Sequence, residues 1–157
     1  MKNLNPIIDQ LQDKMNELLD RWLRIPSVRT EGIPGAPFGE ETRRMLTTAL
    51  NDAKALGFET RDFDGYAGDV RMGPEGKEPL GILAHLDVVP AGDGWTVPPF
   101  AAEIEDGRMY GRGMSDDKGP AAAALYAMYA MKKAGLPLKR EVRLIFGCDE
   151  ESGWECM

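Results

Sequence analysis

The chain has 157 residues, 43% of them hydrophobic and 29% charged, which is the size of one ordinary domain with enough apolar residues for a core and excludes wholesale disorder. Nineteen Lys+Arg against 26 Asp+Glu give a net charge of −7, which argues against a nucleic-acid partner. Two Cys cannot build a disulfide framework, so a reducing compartment is expected, and one His must serve any His-dependent site.

The first fourteen residues lack the apolar run and small-residue cleavage site of a signal peptide. Residues 5–24 place Ile7, Ile8, Leu11, Met15, Leu18, Leu19, Trp22 and Leu23 on one helical stripe. Asn5-Pro6 reads as cap and first-turn proline, and Ile25-Pro26-Ser27 as the stop. A Gly/Pro loop over 30–39 leads to a second amphipathic helix over 40–56, closed by Gly57. The period then changes. Residues 58–62 and 66–72 read as strands around an Asp64-Gly65 turn. Residues 80–84 form an apolar run expected of a strand buried on both faces. A Gly/Pro loop over 90–99 and a strand pair within 102–110 follow. The run from Gly119 to Met131 is too short for the ~20 residues that cross a bilayer and reads as a buried helix over 120–134, capped by Gly135. Residues 142–146 form a last strand. Strands alternating with helices predict an α/β layered fold, and no membrane span is expected, which makes the cytoplasm the simplest location.

Three polar clusters sit at the ends of these apolar elements: His85-Leu86-Asp87, Ser115-Asp116-Asp117-Lys118-Gly119 and Asp149-Glu150-Glu151. Sites in open α/β sheets collect beyond the carboxyl ends of strands. Converging carboxylates repel and raise one another's pKa, and a bound cation resolves that repulsion. One His with carboxylates and no clustered Cys suggests Zn²⁺, with Mn²⁺ or Co²⁺ as substitutes. His85 and Asp87 share a face of an extended segment, so Asp87 could orient the imidazole while its other nitrogen binds metal. Each cluster alone also has a plain structural reading. These are a hydrogen-bonded buried His, an Asp helix cap worth ~1 kcal/mol and a solvated acidic turn.

Taken together, the strings from His85 to Trp95, from Gly111 to Pro120 and from Asp149 to Trp154 resemble the co-catalytic dizinc metallopeptidases that include aminoacylase, carnosinase and bacterial dipeptidases. The Gly-Asp-Gly-Trp and Glu-Ser-Gly-Trp-Glu-Cys details are most similar to PepV-type bacterial dipeptidases. The resemblance implies a layered zinc-peptidase catalytic domain, a mixed sheet flanked by helices. It implies His85 and Glu151 as ligands of different zincs, Asp116 as their bridge with a cis peptide after it, Asp87 as the orienter of His85, and Glu150 as general base. The implied reaction is hydrolysis of a dipeptide by a metal-activated water, whose proton Glu150 takes and passes to the leaving amine.

The same resemblance implies one further acidic ligand, one further His and an inserted lid domain, and this chain contains none of them. Residues 1–157 are therefore expected to be the N-terminal portion of a truncated catalytic domain, binding zinc weakly and turning over dipeptides slowly or not at all. Two other functions fit the motifs: an N-acyl-amino-acid deacylase of the same fold, and a non-catalytic metal-binding or dimerisation module.

Overall fold

The computed structural model describes residues 3–76 and 78–156; Met1 and Met157, the bounds of the expected domain, lie outside the described residues. The elements run α1(Asn5–Leu23), α2(Glu40–Ala55), β1(Glu59–Phe63), β2(Ala67–Met72), β3(Leu80–His85), β4(Glu103–Glu105), β5(Arg108–Tyr110), α3(Lys118–Lys133) and β6(Val142–Gly147). The architecture is α/β, a mixed sheet with packed helices. The main sheet has the order β1-β2-β6-β3. Its β1–β2 and β2–β6 pairs are antiparallel and its β3–β6 pair is parallel. Strands β4 and β5 form a separate hairpin.

Local chemistry accounts for most boundaries. The β1–β2 hairpin turns at Asp64 and Gly65, whose φ values are +52° and +82°, a conformation that Asp tolerates and Gly adopts freely. Gly57 and Gly135, at φ +80° and +62°, follow the last residues of α2 and α3 in the left-handed conformation that ends helices. The start of α1 differs from expectation. Leu4 is the N-cap, and the Asn3 side-chain oxygen, not that of Asn5, accepts the Asn5 amide at 3.0 Å.

Register divides the sheet into two faces. Val70, Leu144 and Ile82 are aligned across it, and so are Gly68, Phe146 and Ala84. Helices cover this face: α2 packs on β1 and β2, α3 packs on β3 and β6, and α1 packs on α3. Trp22 of α1 meets Phe146 edge to face, with ring centroids 5.9 Å apart, and both are fully buried. Phe146→Leu is expected to lower stability by about 1–2 kcal/mol, the loss of a ring contact plus a small void. The urea midpoint should fall at unchanged slope.

Strand β3 corrects the expectation of burial on both faces. Among the described residues it is an edge strand paired only with β6, and Leu80 and Leu83 are 52% and 66% exposed. Its alternate residues Ile82 and Ala84 face the helices, but among the described residues nothing covers the opposite face at Leu83.

The connection from β3 through β4, β5 and α3 to β6 is a parallel crossover. It brings the carboxyl ends of β3 and β6 side by side, with His85 opposite Gly147. The N-terminus of α3 comes to the same end, so all three polar clusters meet there.

Candidate metal centre

His85 is the last residue of β3 and is buried. Its Nε2 lies 3.0 Å from Asp116 Oδ1 and 3.7 Å from Glu150 Oε2. Candidate ligand atoms of His85, Glu150 and Glu151 all lie within 4.8 Å of one another. The other ring nitrogen, Nδ1, lies 3.1 Å from the main-chain oxygen of Asp87 and 3.5 Å from its Oδ1. The main-chain carbonyl is thus the nearer partner of the ring. The Asp87 carboxylate, itself buried, has another task. Its Oδ1 accepts the Glu150 amide at 3.1 Å and its Oδ2 accepts the Glu151 amide at 3.0 Å. One carboxylate thereby ties the turn after β6 to the turn after β3.

Asp116 and Asp117 sit just before α3, joined by a cis peptide bond. Neither side chain caps the helix. Asp117 Oδ2 instead accepts the His85 amide at 3.1 Å, and the Asp116 carboxylate, three-quarters exposed, points to the imidazole. The helix-cap reading of this pair does not describe what the two carboxylates do. The third cluster divides similarly. Asp149 is fully buried and is taken up by Arg29 Nη1 at 2.6 Å and the Glu155 amide at 3.1 Å, so it shapes the turn. Cys148, beside it, is also fully buried, and burial pushes its thiol well above the usual range, which makes it a packing residue.

Burial disfavours a charged imidazole, but the hydrogen bonds to Asp87 and Asp116 and the Asp87 charge outweigh it and hold His85 near a pKa of about 9. At neutral pH the proton on Nε2 therefore stands where a cation would neutralise the carboxylates. Burial first, and the neighbouring Asp116 charge second, raise Glu151 above an ordinary carboxyl. Burial likewise raises Asp117, against the His85 amide that lowers it. One imidazole nitrogen among crowded oxygens, at least one of them held reluctantly as an anion, is a donor set that fits Zn²⁺, Mn²⁺ or Co²⁺.

Reasoning from the sequence missed three contributors. Asp117 joins the β3 end to the α3 start through the His85 amide. Ser27 Oγ donates to Leu86 O at 2.6 Å. Lys118, fully buried, donates to two main-chain carbonyls at the end of α1. The one visible signal was a Lys inside an acidic string at the start of an apolar helix.

Residues 81–156 match the model of Peptidase family M20/M25/M40. The chain is 47% identical over 157 residues to the Beta-Ala-Xaa dipeptidase of Lactobacillus delbrueckii subsp. lactis, an alignment covering 97% of this chain and 33% of that protein. Human carnosine dipeptidase 1 superposes with a TM-score of 0.83 at 28% identity, over 98% of this chain and 36% of that one. An M20 family metallo-carboxypeptidase from Sulfolobus solfataricus superposes with a TM-score of 0.70 at 27% identity, over 85% of this chain and 30% of that one. The chain thus spans about a third of the length of the curated relatives it matches.

Proposed function

The chain belongs to peptidase family M20/M25/M40, and on that premise we propose that the protein carrying it hydrolyses the peptide bond of dipeptides with zinc at the His85 centre. The observation that carries the reading is His85 Nε2 facing the carboxylates of Asp116 and Glu150, with Glu151 in the same group of donors. In this reading His85, Asp116 and Glu151 hold the metal, with Asp116 shared between two ions. A divalent cation bound there supplies Lewis acidity toward the scissile carbonyl and toward water. Glu150 takes the proton from the attacking water and returns it to the leaving amine. Asp87 keeps the imidazole and both glutamates in one frame. Residues 1–157 form the N-terminal portion of the catalytic domain, and the rest of the protein adds the remaining ligands and closes the site over substrate. The protein works in the cytoplasm. A free α-amino or β-amino substrate, rather than an N-acyl amino acid, is favoured by the names of the relatives, a Beta-Ala-Xaa dipeptidase and a carnosine dipeptidase.

Two measurements test this. The first titrates the 157-residue chain with zinc at pH 7.5 in buffers of different ionisation enthalpy. With His85 near pKa 9 the ring is almost fully protonated at that pH, so close to one proton should leave per zinc bound. An unperturbed imidazole would release only about a tenth of a proton. The release should fade as pH rises through 9 to 10, because the ring is then already neutral. The second uses a chimaera in which this chain replaces the matching third of the Lactobacillus enzyme. It should hydrolyse β-alanyl and α-dipeptides and leave N-acetyl amino acids intact. Faster hydrolysis of the N-acetyl compounds would move the assignment to a deacylase.

A further inference from the structure

The segment at the end of α1 is bonded to both halves of the candidate centre. Lys118 follows the Asp116-Asp117 pair directly, and its amino group lies entirely within the protein. Its Nζ donates to Trp22 O at 3.0 Å and to Ile25 O at 2.6 Å, carbonyls at and just past the end of α1 that also accept the Ile25 amide at 3.2 Å and the Ser27 amide at 2.9 Å. Two residues further on, Ser27 is also fully buried. Its Oγ donates to Leu86 O at 2.6 Å, and its carbonyl accepts the Val88 amide at 3.0 Å. The six-residue stretch from Trp22 to Ser27 is therefore bonded on one side to the Asp116 segment and on the other to the His85–Asp87 segment.

The space between them is filled. Gly113 passes between Val88 and Lys118, where an added Cβ would lie 2.9 Å from Val88 Cγ1 and 3.1 Å from Lys118 Cδ. A Cβ at Gly119 would lie 2.0 Å from Met114 O. A buried amine on a long stem, held by two carbonyls in a closely packed slot, fixes the backbone from which it grows. That backbone presents Asp117 to the His85 amide at 3.1 Å and Asp116 to the imidazole at 3.0 Å. Capping α1 alone would account for the Lys118 bonds, but not for a second buried side chain, from the same stretch, bonded to the other segment.

We infer that Lys118 and Ser27 are positioning residues that hold the Asp116 carboxylate against the His85 imidazole by anchoring both segments to the end of α1. The inference rests on the zinc reading only for its effect on metal affinity, since the juxtaposition itself is a property of the fold. The His85 amide reports on it, because it donates to Asp117 Oδ2 across the gap between the two segments.

The test is amide hydrogen exchange of the metal-free 157-residue chain, with Lys118→Met and Ser27→Ala, together with zinc affinity by competition with a chromophoric chelator. Exchange at His85 should speed up at least about tenfold in each variant, while exchange at Val70 and Leu144 in the central strands stays as in the parent. Zinc affinity should fall about 10–100-fold. An unchanged His85 amide, equal acceleration at all three amides, or unchanged affinity in a parent that binds zinc would each overturn the inference. If Lys118→Met does not fold, Ser27→Ala decides it by the same criteria. If the parent chain binds no zinc, affinity is read in the chimaera, where absence of binding overturns the metal reading, and the exchange result still decides the positioning.

Discussion

Glu150→Gln in the chimaera is expected to cut turnover of a β-alanyl dipeptide by about 10²–10⁴, the usual contribution of a positioned general base. Zinc affinity should stay close to that of the parent. The substitution keeps the volume and one acceptor oxygen but leaves no group able to take a proton. Glu150 is suited to that work by its setting. Its amide is fixed by Asp87 at 3.1 Å, while its carboxylate remains one-third exposed, 3.7 Å from His85 Nε2. It is thus anchored at the backbone and open at the tip, as a group that exchanges protons with bound water needs to be. The adjacent Glu151 is held in the same way through its own amide, and burial raises its pKa. The two measurements separate three possibilities. Lost activity with retained zinc supports the base. Loss of both makes Glu150 a ligand, which its place in the same donor group permits. Full activity without the carboxylate would remove Glu150 from the chemistry and assign the base to another group.

The helices, the Asp64-Gly65 hairpin and the strands on either side of α3 were legible because each is set by local chemistry. These are a 3.6-residue stripe, a pair of residues that accept positive φ, or an apolar run between Gly-rich breaks. The three polar clusters were legible as a site because each begins where an apolar element ends. What stayed hidden depends on partners far along the chain. Asp87 reaches the Glu150 amide across 63 residues, and Lys118 reaches Trp22 across 96. No local pattern distinguishes a Lys that enters the interior from one that lies on a solvated acidic turn. Ser27 likewise reads as part of an Ile-Pro-Ser helix stop, and only the packing of β3 shows where its hydroxyl goes. The run at residues 80–84 was misread for a related reason. An apolar strand records that both faces are suited to burial, not which of them the described residues cover.

Asp87 carries the second large expectation, and the choice of substitution separates its two possible tasks. Were its carboxylate needed only to orient His85, Asp87→Asn would be mild, since an amide oxygen can still accept from Nδ1–H. The geometry gives the carboxylate a different duty, because both oxygens are already taken by the Glu150 and Glu151 amides, at 3.1 and 3.0 Å. An amide side chain has one acceptor and one donor at its tip. Whichever way it is turned, its NH₂ faces one of those backbone N–H groups. Asp87→Asn should therefore cost about 1.5–3 kcal/mol, the loss of one hydrogen bond to a charged acceptor within the interior. Asp87→Ala, which strands both donors, should cost about 3–5 kcal/mol. Urea unfolding of the metal-free chain measures both. Zinc affinity should fall about 10–100-fold even in the milder variant, because the turn that presents Glu151 is released together with the imidazole frame. A folded Asp87→Asn variant with parental stability and parental affinity would show that the two amides do not need the carboxylate. The Asp87 main-chain carbonyl, 3.1 Å from Nδ1, would then be sufficient to orient the ring.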